Sequence, residues 1–238
     1  MNNFYPIVGI AGKAGSGKTT TATFLSNSYN GCSIALADPI KRALLNGGGS
    51  KTDLWGPSVN RNKPFIHNGL ISITSLHLDF EINAYDAETA YNRFMEMPFD
   101  SPIRDLLKCF GSVIRNINRK HWIDLAMDKA QLILDQCYGY DKTLGLQRYI
   151  NQPKDYVIIE DIRFRNELLQ VKQAGGLVIK LVGATDNKDT HVSETELDTV
   201  PDHWFNAIVY NDGDLATLYY KLHTIMEIAY GDDRGLTV

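Results

Sequence analysis

A chain that carries Gly12-Lys13-Ala14-Gly15-Ser16-Gly17-Lys18-Thr19 between an apolar run and a helix-forming run has few folds open to it. The octet satisfies G-x-x-x-x-G-K-[ST], the phosphate-binding loop pattern, at every fixed position. Glycines let the backbone turn so that its N–H groups point inward at phosphate oxygens, where side chains would collide. Lys18 brings a positive charge to the β- and γ-phosphates, and the Thr19 hydroxyl is a ligand for Mg²⁺. Phe4 to Ile10 reads as a buried strand leading in, and Thr20 to Ser28 as a helix leading out. That order sets a helix N-terminus against the anion. Gly12, Ala14, Gly15, Ser16, Gly17, Lys18, Thr19 and Thr20 are the candidate triphosphate site.

Four more short apolar runs predict buried parallel strands: Ser33 to Ala37, Tyr156 to Glu160, Leu177 to Val182 and Ala207 to Tyr210. Helical patterns separate them. Leu168 and Val171 precede a Gly175-Gly176 stop signal, and Leu215, Leu218, Leu222, Ile225 and Met226 give a final amphipathic helix behind Asp212-Gly213-Asp214. Strands alternating with helices predict an α/β fold with three layers, a five-stranded parallel sheet covered on both faces. Residues 46–100 break the rhythm. Gly47-Gly48-Gly49-Ser50 reads as a connector, and the spacing of Ile71, Ile73, Leu76, Leu78, Phe80 and Ile82, near two, predicts one or two exposed strands. The chain therefore divides into a core over 1–45 and 101–238 and an insertion over 46–100, which reads either as a cover over the substrate or as the contact of a homodimer.

Composition narrows the partners. A net charge of −4 argues against a broad nucleic-acid surface, which needs a basic excess. Cys32, Cys109 and Cys137 are far apart with no C-x-x-C pair, as expected of reduced thiols. No apolar run reaches membrane-spanning length, and the apolar N-terminus passes straight into the phosphate loop. A cytoplasmic protein is expected.

Two further segments carry charge in a pattern. Pro102 to Asn116 reads as a helix interrupted at Gly111-Ser112, with Arg104, Lys108, Gly111 and Arg115 on one face; His121 to Cys137 reads as the next helix. A solvated basic face would explain the cations, and so would a second phosphate site. Trp122 is read either as a core side chain or as a face for a nucleobase. The strand Tyr156 to Glu160 ends in Asp161-Ile162-Arg163, which places a Mg²⁺-binding carboxylate and an arginine at a strand end. Thr19 and Asp161 are the candidate metal ligands, and Lys18, Asp161 and Arg163 the candidate catalytic residues.

With Ala37-Asp38-Pro39-Ile40-Lys41, Arg104-Asp105-Leu106-Leu107 before Gly111-Ser112, Trp122, Asp161-x-Arg163-x-x-Asn166-Glu167, His191-x-Ser193-Glu194 and Asn211-Asp212-Gly213 in this order, the chain resembles the phage-type deoxynucleoside monophosphate kinases over nearly its whole length. The resemblance implies a P-loop kinase fold and transfer from ATP to a dNMP with Mg²⁺. It also implies that Asp38, Lys41, Arg104, Lys108, Gly111, Ser112, Arg119, Trp122, Arg163 and Glu167 line the monophosphate site. Two departures stand out. Several members carry Asp after the loop lysine, where this chain has Thr19. Ala184 to Trp204, the stretch where relatives carry lid arginines, contains none. The transition-state charge then falls to Arg163, Arg165, Arg115 or Arg119, with Arg163 favoured. Two other readings fit the loop: a kinase for another small acceptor (dephospho-coenzyme A, for instance), with Asp38 as its base, and a nucleotide-dependent switch or assembly ATPase.

Overall fold

Each of the five apolar runs becomes a strand. The computed structural model describes residues 5–66, 71–136, 138–148, 153–183 and 195–231. Its main sheet contains β1 (Ile7–Gly12), β2 (Gly31–Ala35), β5 (Tyr156–Ile162), β6 (Leu177–Gly183) and β7 (Ala207–Asn211), in the spatial order β2-β5-β1-β6-β7. Every neighbouring pair is parallel. β2 lies two residues earlier than its apolar run suggests. Val8, Ile10, Ile158, Ile179 and Leu181 pack on α1 (Lys18–Ser28) and the last helix, Leu215–Tyr230, through Leu25, Leu218, Leu222 and Met226. On the other face, α8 (Arg165–Gln173) contributes Val171, which lies beside Gly9 and Val178. The sheet is thus the middle of three layers. Gly175 closes α8 with φ 80, donating to the Lys172 carbonyl while Gly176 donates to Val171, a Schellman arrangement. Asp214 caps the last helix by accepting from the Thr217 N–H at 2.8 Å.

Contacts divide the chain into two compact units. The first holds residues 1–36, 126–139 and 148–238, and so contains the sheet. The second holds 37–125 and 140–147. It is built from α2 (Asp38–Asn46), α3 (Lys51–Trp55), α4 (Ile73–Phe80), α5 (Ala84–Met95), α6 (Ile103–Ile117) and the start of α7 (His121–Leu134). A two-stranded ribbon, β3 (Tyr138–Asp141) and β4 (Gly145–Arg148), contributes its tip.

Two local elements differ from the sequence expectation. Residues 73–80 form helix α4, not strands. Leu76 and Phe80, four apart, are fully buried while Leu78 is exposed, so the operative period is helical. A reciprocal cap between Ser72 and Ser75 starts that helix. Nor do Gly111 and Ser112 interrupt α6, which runs unbroken from Ile103 to Ile117. Its buried stripe of Ile103, Leu106, Phe110 and Ile114 holds it in place.

Candidate active site

The phosphate loop joins β1 to α1, and its conformation depends on glycine. Gly17 has φ 97, and a Cβ there would lie 2.5 Å from the Asn211 amide nitrogen. That amide donates to the Ser16 carbonyl at 3.0 Å, so the end of β7 braces the loop. α1 starts with no side-chain cap and no acidic residue in its first turn. The N–H groups of that turn have no partner within the helix, and with the helix dipole they have the chemistry to receive an anion. Ser16 is 2% exposed and its hydroxyl has no hydrogen-bond partner among the described residues. A buried hydroxyl beside such a helix start suits a phosphate oxygen.

Lys18 folds back over this loop. Its ammonium donates to the carbonyls of Gly12 at 2.6 Å and Lys13 at 2.7 Å, and lies 3.4 Å from Asp161 Oδ1. Burial pushes its pKa below the ordinary lysine value, an effect that Asp161 opposes and Arg163 reinforces. Arg163 Nε meets the same Asp161 oxygen at 2.9 Å. Asp161 sits where β5 gains a residue against β1: Gly9 pairs with Ile159, but Ala11 pairs with Ile162. Its φ of 70 is left-handed, which is uncommon for a residue other than glycine. A bulge of this kind re-aims a side chain, and this one leaves Asp161 between the two cations. Its neighbour Glu160 is buried and accepts from the Ser33 hydroxyl of β2.

The second unit gathers the cations of α6 and α2. Arg104 Nε donates to the Asn62 side chain at 3.0 Å, and Lys108 is half-buried one turn on. The Gly111 carbonyl accepts from Arg115 at 3.1 Å and from the Trp122 indole at 3.2 Å. Asp38 and Lys41 stand on α2, 3.6 Å apart, with Asp38 wholly buried.

A model of the deoxynucleotide monophosphate kinase family matches residues 59–222. The chain belongs to that family. The matched stretch is more than half of the chain and excludes the phosphate loop, so membership does not rest on a motif shared by unrelated nucleotide-binding proteins. The chain is similar to the deoxynucleotide monophosphate kinase of Enterobacteria phage T4, with 24% identity over 259 residues that cover 93% of this chain and 99% of the relative. It is also similar to the enzyme of that name from Escherichia phage RB69, with 25% identity over 260 residues, 92% of this chain and 99% of the relative.

Against that family background the predicted site residues fall into distinct groups. Gly12 to Thr20, Asp161 and Arg163 come together in the first unit. Thr19 is exposed and Asp161 partly so, and both offer oxygen to a hard cation. Glu167, at 1% exposure, accepts the N–H groups of Arg163 at 2.8 Å and Phe164 at 3.0 Å, fixing the turn that carries Arg163. In the second unit, Arg104, Lys108, Gly111 and Ser112 share α6, while Arg119 is exposed in the turn after it. Trp122 is 4% exposed and meets Phe80 edge-on at 5.4 Å. Among the other arginines considered for the reacting charge, Arg165 lies over Trp204 at 5.3 Å. His191, Ser193, Glu194, Cys137 and the 184–194 part of the lid stretch lie outside the described residues.

Sequence reading missed several participants. Lys13 of the loop pairs with Asp198 at 2.8 Å. Trp55 and Tyr140 both donate to Asp38, at 2.9 Å each. With both oxygens engaged and none of its surface exposed, Asp38 is poorly placed to deprotonate an acceptor hydroxyl. None of the described helices is long and apolar enough to cross a membrane.

Proposed function

We propose that this chain transfers the γ-phosphoryl group of Mg·ATP to the 5′-phosphate of a deoxynucleoside monophosphate, giving ADP and a dNDP. The observation that carries this reading is the family match over residues 59–222, which contains Arg104, Lys108, Trp122, Asp161 and Arg163 and not the phosphate loop. The loop supports the donor side independently, through the buried Ser16 hydroxyl, unpartnered among the described residues, and the space that Gly17 leaves.

Transfer to a phosphate oxygen needs little covalent chemistry from the protein; position and charge neutralisation supply most of it. The N–H groups at the start of α1 and the Ser16 hydroxyl would hold the donor phosphates. Lys18 would exchange its two carbonyl contacts for phosphate oxygens, and Arg163 would face the charge that spreads over the group in flight. Thr19 and Asp161 would hold the Mg²⁺ that accompanies ATP, whose chemistry is to neutralise that charge. The acceptor is already anionic, so no strong base is required. Arg104 and Lys108 would receive its phosphate.

An acceptor panel tests the reading: the four dNMPs, their ribonucleotide counterparts and dephospho-coenzyme A, each with Mg·ATP and followed by ADP release. Release stimulated by at least one dNMP is expected. Slow hydrolysis indifferent to every dNMP would sink the assignment in favour of an ATPase acting on partners.

Gly111 gives a finer test. Among the described residues, a Cβ there would meet Ile40 Cδ1 alone, at 3.8 Å, an ordinary contact. Gly111→Ala should therefore stabilise the protein by about 0.5–1 kcal/mol, the usual gain at a helix interior. If an acceptor lies along this face of α6, the same methyl raises KM for dNMP and leaves KM for ATP alone. A variant with a higher Tm and unaltered dNMP kinetics would remove Gly111 from the acceptor site.

A further inference from the structure

The second unit contains a buried ionic cluster that the phosphate loop and the α6 cations do not explain. Asp38 opens α2 with no exposed surface, and Lys41 and Arg42 on the same helix are each 8% exposed. Burying three charged side chains is costly, and such a cluster is rarely the most stable filling for its volume. Here each charge is held by a specific partner. Asp38 Oδ1 accepts from the Trp55 indole at 2.9 Å and lies 3.6 Å from the Lys41 ammonium. Asp38 Oδ2 accepts from the Tyr140 hydroxyl at 2.9 Å. The same Tyr140 oxygen accepts from Arg42 Nη1 at 3.2 Å. Lys41 stands 5.7 Å above the Trp55 ring. Asp79 of α4, which accepts from the Asn46 amide at 3.1 Å, feels the Arg42 charge as well.

Tyr140 is the hinge of this arrangement because its hydroxyl both donates to the carboxylate and accepts from the guanidinium. Burial and the Asp38 charge raise its phenol pKa far above the ordinary range, so the hydroxyl keeps the proton it gives to Asp38. The guanidinium of Arg42 lies alongside Gly145, where a Cβ would come within 3.6 Å of its carbon, so the β3–β4 ribbon grips both ends of the pair. α2 begins without a side-chain cap of its own. Its first turn is therefore oriented by partners on α3 and on the ribbon.

We propose that Tyr140 is a positioning residue for the monophosphate acceptor, clamping Asp38 and Arg42 so that the first turn of α2 presents Lys41 to the acceptor in one fixed geometry. The inference rests on the reading of the chain as a dNMP kinase, and within it assigns work to a residue 102 positions away from Asp38. Tyr140 itself touches no reacting atom. Its loss should act through KM for the acceptor and not through the donor.

Tyr140→Phe removes only the hydroxyl. We expect a folded protein whose KM for dNMP rises about tenfold, the scale set by leaving a buried carboxylate and a buried guanidinium each short of a partner. KM for ATP should stay within about twofold of the wild-type value, since no donor residue is touched. Trp55→Phe, which takes a second donor from the same carboxylate, should move the dNMP KM in the same direction, and it serves in place of Tyr140→Phe if that variant does not fold. Unchanged dNMP KM in the folded variants, or parallel rises in both KM values, would overturn the proposal. Lys108→Ala, measured alongside, separates this idea from the acceptor reading of α6. If Lys108→Ala raises the dNMP KM and Tyr140→Phe does not, the clamp is refuted and the α6 site stands. The reverse pattern supports the clamp and moves the acceptor phosphate away from α6.

Discussion

Lys18→Ala is expected to lower kcat/KM for phosphoryl transfer by about a hundredfold to a thousandfold, the usual loss when one preorganised donor to the reacting group is removed. The fold should survive. In the structure the Lys18 ammonium is 8% exposed and satisfied by the carbonyls of Gly12 and Lys13, with Asp161 at 3.4 Å. Its lowered pKa means that the folded state disfavours the charged form relative to the unfolded chain, so this charge destabilises the fold below the folded-state pKa and the cost fades as pH rises through it. Removing the ammonium relieves that cost, and Asp161 keeps Arg163 at 2.9 Å. Thermal melts of the variant should therefore lie close to those of the wild type while turnover collapses. Lys18→Arg is a sharper companion: it keeps the charge but replaces a compact ammonium with a wide planar fork, and should remain deeply impaired. Near wild-type turnover in Lys18→Ala would mean that this loop does not carry the donor.

The features legible in the sequence are those encoded by neighbours along the chain. The loop is legible because the glycines, the lysine and the strand and helix on either side fall within 28 residues. The parallel strands are legible because strands covered on both faces become short continuous apolar runs. Misreadings arose where a local pattern admits two periods. In residues 71–82 apolar side chains fall at both alternate and fourth positions, and burial of Leu76 and Phe80 together decides for the helix. A glycine inside α6 looked like an interruption, yet a tertiary stripe of four buried apolar residues overrides its weak propensity. Pairings across the chain left no local signal. The Asn211 brace on Ser16 joins residues 195 apart, and nothing around Tyr140 marks it as the partner of Asp38. Glu167 shows a subtler limit: an acidic residue near a strand end can serve a metal, a substrate or the backbone. Its position three residues after Phe164 suits a helix cap, and the capping bonds account for its burial.

Trp122→Ala should produce the largest loss of stability, about 3–5 kcal/mol, the range for emptying a large aromatic from a packed core. Against the 5–15 kcal/mol that typically holds a domain together, this is enough to leave a substantial unfolded fraction on mild warming. The indole is 4% exposed, edge-on to Phe80 at 5.4 Å and to His121 at 4.9 Å. Phe80 in turn meets Phe110 edge-on at 5.4 Å, and Phe110 stacks on Phe94 at 5.6 Å, so one side chain anchors an aromatic chain through α4, α5, α6 and α7. At 4% exposure the indole has little surface to offer a base, and the loss should reach dNMP and ATP kinetics together through the folded fraction. Trp122→Phe separates packing from polarity. It keeps much of the apolar area but loses the indole N–H and part of the bicyclic ring, while the Gly111 carbonyl retains Arg115 at 3.1 Å. Its cost should therefore fall to about 1–1.5 kcal/mol, the net value of one hydrogen bond plus imperfect refilling. Urea unfolding of the two variants, followed by steady-state kinetics at a temperature where both are folded, decides the matter. If Trp122→Ala keeps wild-type stability and raises KM for dNMP alone, the ring is a base platform and the aromatic core does not depend on it.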